Sequence, residues 1–215
     1  MDTLWDSRQV VLAAFGQTLG LLVVAGLGAL VLGTILGAFR VSAVPALRAV
    51  GTAYVTVFRN TPLLVVFLLI YYGLPELEVR PPQFWRATIA LVLYTAAFIC
   101  EAVRSGVNAV DSGQAEAARS IGMGFGQSLR LVVLPQAFRA VVPPLANVLI
   151  ALAKNTSLVA GFGIADATFR MRGLINNNPG DVYVIFVGIA LGYVLIVAVI
   201  AFIARGLERQ LAVAR

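Results

Sequence analysis

Apolar residues fill this chain in long runs, broken by charge at only a few points. Residues 9 to 39 make 31 consecutive positions without a formal charge, and about 20 apolar residues suffice for a helix to cross a bilayer. This run predicts a first span, Gln9 to Phe39. Four more follow: Tyr54 to Tyr72, interrupted by Arg59; Phe84 to Ile99, with room to continue past Glu101; Val141 to Phe162, interrupted by Lys154; and Val182 to Ala204. The expected fold class is an all-α membrane protein with about five transmembrane helices. No repeat, low-complexity tract or linker divides the chain, so residues 1–215 read as a single membrane domain. The first run exceeds the core of a signal peptide, about 7–15 residues, and Asp2 and Asp6 precede it with only Arg8, so no cleavable signal is expected. Within it, Gly33 and Gly37 stand four apart, a spacing that lets another helix come close.

Composition agrees, since 60% of the residues are hydrophobic and 12% charged, whereas a soluble domain carries about 25% charged residues. A water-covered enzyme is excluded on that ground. The net charge of +6 would suggest nucleic acid in a soluble chain; here it reads as positive loops on the cytoplasmic side, with no nucleic-acid partner. Arg40, Arg48, Arg59, Arg104, Arg119, Arg130, Arg139, Arg205, Arg209 and Arg215 fall on one side of the five spans, and Arg8, Arg80, Arg86, Arg170 and Arg172 on the other. This bias places the N terminus outside and the C terminus in the cytoplasm. The chain has no histidine, which removes Ser-His nucleophiles, HExxH zinc sites and bis-histidine haem. Cys100, alone in an apolar run, reads as a small buried hydrophobe. An intramembrane enzyme would need a nucleophile with a base, or clustered carboxylates, and the chain has no histidine and no paired acids in its spans. A non-transporting scaffold or sensor is the remaining alternative to a transport subunit, and the polar interruptions of the spans speak against it.

Polar groups inside a span face partners or a water-filled path, because bare lipid disfavours them. Lys154, Asn155, Thr156 and Ser157 form one such interruption and Arg59, Asn60 and Thr61, just before Pro62, another. An ammonium, an amide and two hydroxyls are the mixture an amino-acid headgroup needs; equally, the hydroxyls can bond back to their own helix and Lys154 can snorkel. Pro62 either breaks a span at membrane depth or starts the true span, leaving Arg59 at the cytoplasmic face. With Arg59 and Lys154 but no acid in these two spans, an anionic or neutral cargo is favoured over a cationic one. Glu101 and Arg104 can clasp at i,i+3 near Asp111, and the segment from Asp166 through Arg170 and Arg172 to the turn at residues 176–180 is the longest outer loop.

Residues 111–135 are too polar at the start to span and too rich in helix formers for a plain loop. Gln114 to Ile121 predicts a short helix with Glu116 and Arg119 paired, Gly122 a left-handed stop, Gly124 and Gly126 a sharp turn, and Ser128 to Leu134 a second helical piece ending at Pro135. Ala117 and Ala118 offer a small face, Glu116 one charge and Phe125 an aromatic plug, as a docking knob would. A surface helix lying on the membrane is the other reading from physics alone.

Glu116-Ala117-Ala118, then Gly122, then Val132 and Leu134-Pro135 resembles the EAA loop of ABC importer permeases, with Val132 in place of the family's Ile. Phe58 to Leu64, Tyr71-Tyr72-Gly73, Tyr94-Thr95, Glu101, Arg104 to Gly106 and Lys154 to Leu158 are similar to permeases for polar amino acids, nearest to actinobacterial glutamate permease subunits and next to glutamine permeases. The resemblance implies the type I ABC importer permease (MetI-like) fold, two permease chains that are related but different, a pair of cytoplasmic ATPases receiving the knob at Glu116, Ala117, Ala118, Gly122 and Phe125, and an extracytoplasmic binding protein. ATP and Mg would sit on the partner ATPase. This chain has no GxxxxGK[ST] loop and would bind no cofactor itself.

Overall fold

The computed structural model describes residues 2–212, and every regular element within them is helical. Arg215, one of the arginines counted for orientation, lies outside them. A short α1 (Asp2–Asp6) leads into α2 (Arg8–Val41). Then come α3 (Pro45–Asn60), α4 (Leu63–Leu68), a π turn (Leu69–Gly73) and α5 (Leu74–Glu76). The central helix α6 (Gln83–Asn108) is followed by α7 (Ser112–Ser120) and α8 (Phe125–Ser128). A second π turn (Leu129–Val133) joins α8 to α9 (Leu134–Asn155), which tightens into a 3-10 segment (Thr156–Phe162). The chain ends with α10 (Ala167–Asn177), a 3-10 turn (Pro179–Asp181) and α11 (Val182–Ala212).

Among the described residues, four helical stretches are long and apolar enough to cross a membrane, and a fifth if the bent pair α3 and α4–α5 is one span. The third predicted span does continue past Glu101, to Asn108. The second is not one straight helix: its halves are bent by 102° at Thr61-Pro62. Thr61 is extended (φ −97°, ψ 131°), as the residue before a proline tends to be, and the Pro62 carbonyl accepts from Val65 and Val66 to begin α4. Proline therefore opens a new helix here, with Arg59 left at the end of the preceding one.

The fourth span begins earlier than its apolar run, because the helix does not stop at Pro135. Both π turns end directly before a Leu-Pro pair, Leu74-Pro75 and Leu134-Pro135. A proline ring clashes with the carbonyl four residues back and offers it no N–H. Widening the preceding turn moves that carbonyl away, and the helix carries on where sequence rules predict an end.

Helix α6 packs against α2, α3, α4 and α9. Gly33 and Gly37 seat it against α2: a Cβ on Gly33 would lie 2.6 Å from Ile99 Cβ and 2.8 Å from the Ala96 carbonyl, and one on Gly37 2.8 Å from Val103 Cβ. The close approach anticipated from the glycine spacing thus occurs within the chain. Leu21, Phe67, Tyr71, Leu91, Leu152 and Val159 form the largest core cluster, with Phe67 stacked on Phe162 at 5.1 Å. Cys100 is fully buried and unbonded.

Candidate functional site

The polar interruption at Lys154 to Ser157 sits where α9 becomes a 3-10 segment, and the structure divides it. Asn155 joins Tyr94, Thr95 and Phe98 of α6 and Asn147, Val148 and Ala151 of α9 around a cavity of about 360 Å³. Lys154 and Ser157 look the other way, into a cavity of about 330 Å³ shared with Thr168, Met171, Phe186 and Tyr193. Thr156 is fully buried and its hydroxyl donates to the Ala153 carbonyl at 2.7 Å; the Ser157 hydroxyl donates to the Lys154 carbonyl at 2.7 Å. The four predicted pathway residues are therefore not one cluster, because neighbours on a helix point about 100° apart and both hydroxyls serve their own backbone. Asn147 went unrecognised in the sequence although it stands eight residues before Asn155, on the same helix face.

The second interruption falls beside an ion cluster that sequence spacing showed only in part. Glu101 accepts from Arg104 through Nε at 3.0 Å and through Nη2, so the i,i+3 clasp exists. Its other oxygen accepts from Arg40 Nη1 at 2.6 Å, and Arg59 Nη1 stands 3.9 Å away. Arg40, Thr56, Arg59, Asn60, Phe98 and Glu101 line a polar cavity of about 470 Å³. Phe98 also walls the Asn155 cavity, and the Arg59 guanidinium lies 5.5 Å from the centre of its ring. Asn60 and Thr61 bond back to Thr56 and Val57 carbonyls, each at 2.8 Å. Arg59 and Asn60 are thus brought to a cavity adjoining that of Asn155, while Lys154 is not. Both volumes fall in the range of ligand pockets, about 300–1,000 Å³.

Asp166 was expected on the outer loop surface, but it is fully buried. Its carboxylate accepts from the Phe169 N–H at 2.9 Å and the Tyr193 hydroxyl at 3.1 Å, capping α10 and tying it to α11. Thr18 of α2 closes the group by accepting from the Ala167 N–H at 3.2 Å. Burial pushes the Asp166 carboxyl above the usual range against the pull of these bonds. Arg170, Arg172 and residues 176 and 177 remain exposed on α10, which is a helix and not a plain loop.

Between α6 and α9, Asp111 caps α7 by accepting from the Gly113 N–H at 2.7 Å. Gly122 takes the left-handed conformation anticipated for it (φ 86°), and the Met123 and Gly122 N–H groups bond to the Ala118 and Arg119 carbonyls, a Schellman stop. Gly124 then caps α8, its N–H donating to Gln127 Oε1 at 3.0 Å. The second piece starts at Phe125 and runs on into α9. Glu116 and Ala117 are exposed, but Ala118 is buried, so the two alanines do not share a free face. Glu116 and Arg119 form no ion pair; an exposed pair of this kind gains only a few tenths of a kcal/mol, too little to hold both side chains, about 0.3–0.5. Ile121 and Phe125 are instead 80% and 79% exposed, an apolar tip on a polar loop.

A bundle of apolar helices with polar side chains gathered at cavities among them is the build of a membrane transport protein. The chain belongs to the family described as binding-protein-dependent transport system inner membrane component, which residues 29–213 match. It is 41% identical over 209 residues, 91% of its length and 92% of the relative's, to the glutamate transport system permease protein GluC of Corynebacterium efficiens. It is 35% identical over 211 residues, 98% of its length and 97% of the relative's, to the probable glutamine ABC transporter permease protein GlnM of Bacillus subtilis. Among solved structures it superposes on an amino acid ABC transporter with histidines at a TM-score of 0.88, with 30% identity and 96% of each chain covered. The MetNI methionine ABC transporter in an inward-facing conformation shares the fold, with a TM-score of 0.76, 21% identity, and 96% and 98% of the two chains covered.

Proposed function

We propose that this chain is the translocation subunit of an ATP-driven importer for a polar amino acid, with glutamate as its substrate. The likeness to a glutamate permease over nearly the whole length of both chains carries this reading. The cavities support it: Asn155, Asn147, Tyr94 and Thr95 offer amides and hydroxyls to an amino-acid headgroup, and the adjoining cavity carries two arginines against one glutamate.

The complex we envisage has a second, related permease chain, two ATPases that hold ATP and Mg, and an extracytoplasmic binding protein. The whole chain is one transmembrane domain, with its N terminus outside, its C terminus in the cytoplasm and residues 111–135 as the loop that docks on the ATPases. Glu116, Ala117, Gly122 and Phe125 present that contact, and Ala118 supports it from beneath. Closure of the ATPases on ATP would push these knobs and reorient the permease pair around its path.

Uptake of labelled glutamate by cells with and without the gene tests the substrate. Gene-dependent uptake suppressed by unlabelled glutamate and aspartate but not by arginine is expected; suppression by arginine, or by glutamine alone, would overturn the glutamate assignment. Coupling has its own test: Gly122→Val, which forces a β-branched side chain into a left-handed conformation costing about 1–2 kcal/mol, should leave membrane insertion intact and abolish ATP-driven uptake.

A further inference from the structure

The ion cluster on Glu101 is unbalanced, and the imbalance points into a cavity. Arg104 occupies one carboxylate oxygen with two donors and Arg40 occupies the other at 2.6 Å. A carboxylate so engaged has little left to offer. Arg59 is the surplus guanidinium: it stands 3.9 Å from Glu101 Oε2, beyond hydrogen-bond range, and among the described residues it donates no hydrogen bond elsewhere. Its side chain is 44% exposed, against 17% for Arg40 and 34% for Arg104. Three cations on one anion leave the cluster with a charge of +2, and two of the three, Arg40 and Arg59, line a polar cavity of about 470 Å³ together with Glu101. The Phe98 ring lies 5.5 Å from the Arg59 guanidinium, and Thr56 and Asn60 line the same space.

We infer that this cavity is a carboxylate-binding station in which Arg59 is the selecting residue, separated by Phe98 from the Asn155 cavity and serving as the last stop before the cytoplasm. This inference rests on the glutamate reading and deepens it by assigning the side-chain carboxylate a receptor of its own. A planar guanidinium with unused donors matches a carboxylate in bidentate fashion, whereas a neutral amide presents it only one acceptor. An entering carboxylate would also relieve the repulsion among the three arginines. Because Arg59 is not locked to Glu101, it can take up the ligand without first breaking a hydrogen bond, and so can release it again.

The test uses the purified permease–ATPase complex in nanodiscs, with Thr56→Cys placed in a Cys100→Ala background and Asn60→Cys as the second probe if the first fails to assemble. Thiol modification rates are compared for a sulfonate-bearing and a trimethylammonium-bearing methanethiosulfonate. The anionic reagent should be favoured relative to a free thiol, and Arg59→Gln should lower that preference at least about threefold, as loss of one charge at contact distance in a partly solvated site requires. Arg48→Gln, which removes a guanidinium bonded instead to the Ser42 and Ala43 carbonyls, should leave it unchanged. Glutamate should slow modification while glutamine does not, and Arg59→Gln should erase that protection. An anion preference indifferent to Arg59, or equal protection by glutamine, would overturn the station even where glutamate uptake is intact. Anion preference retained in an importer that takes up no glutamate would overturn the substrate assignment and leave the station standing.

Discussion

Helices α6 and α11 are both long enough to cross a bilayer, yet they occupy opposite environments. In the most apolar 18-residue window of each, 56% of α6 is buried and only 11% of α11, although α11 is the more apolar. Leu191, Leu195 and Phe202 of α11 are 61%, 65% and 75% exposed. In lipid, a leucine gains little by moving from a hydrocarbon tail to a protein neighbour, so apolarity alone does not draw a helix inward. Small and polar residues do. Helix α6 offers buried Ala87, Ala90, Ala96 and Ala97 for close approach, and Thr88, Thr95 and Glu101 for polar contact. Tyr193 gives α11 a polar tie to the body, through Asp166 and Thr168.

The sharpest way to break this contrast is to block the seat of α6. Gly33→Val should remove most folded permease from detergent extracts, a loss above about 3 kcal/mol, since the clash involves the Ala96 carbonyl and Ile99 Cβ and not a mobile side-chain tip. A monodisperse peak at wild-type yield in size-exclusion chromatography would show that α2 and α6 are not held by close packing. Next comes Glu101→Gln, which strands three guanidiniums around a neutral amide. The cost should be about 1–2 kcal/mol, below the roughly 3–5 of a fully buried pair because Glu101 is 24% exposed, and thermal unfolding at low and high salt would measure it.

Tyr193→Phe should cost about 1 kcal/mol by depriving buried Asp166 of one of its donors. The same thermal scan would detect it, and no change would mean that α11 is held by apolar contact alone. The smallest effect should come from Leu195→Ala on the bare face of α11, within about 0.5 kcal/mol. A loss of 2 kcal/mol or more there would show that the exposed face is covered by protein in the assembled complex.

Much of the fold was legible in the sequence because long uncharged runs have few other uses: the first span fell within two residues of α2 at both ends, and the third and fifth began within one residue of α6 and α11. Gly122 was legible too, since a stop in the left-handed region leaves few choices of residue. What misled was the punctuation. Pro62 opened a new helix after a 102° bend while Pro135 was carried through behind a π turn, and no local rule separates a proline that ends a helix from one its preceding turn absorbs. The site was legible as residues but not as a grouping. Lys154 and Asn155 are adjacent in the chain and face different cavities, whereas Asn155 and Tyr94, 61 positions apart, face the same one.

Sequence by itself determined that this protein lives in a membrane, where most of its apolar runs cross, and that residues 111–135 carry a family signature between two of them. These properties follow from composition and short-range spacing, which the bilayer reads directly. Tertiary structure alone decided which polar groups share a cavity, that Arg40 and Arg104 saturate Glu101 while Arg59 stands apart, and that Asp166 lies inside the protein. Each of those depends on which helix faces which, and in a bilayer that choice is made by close packing between distant segments, about which hydrophobicity along the chain is silent.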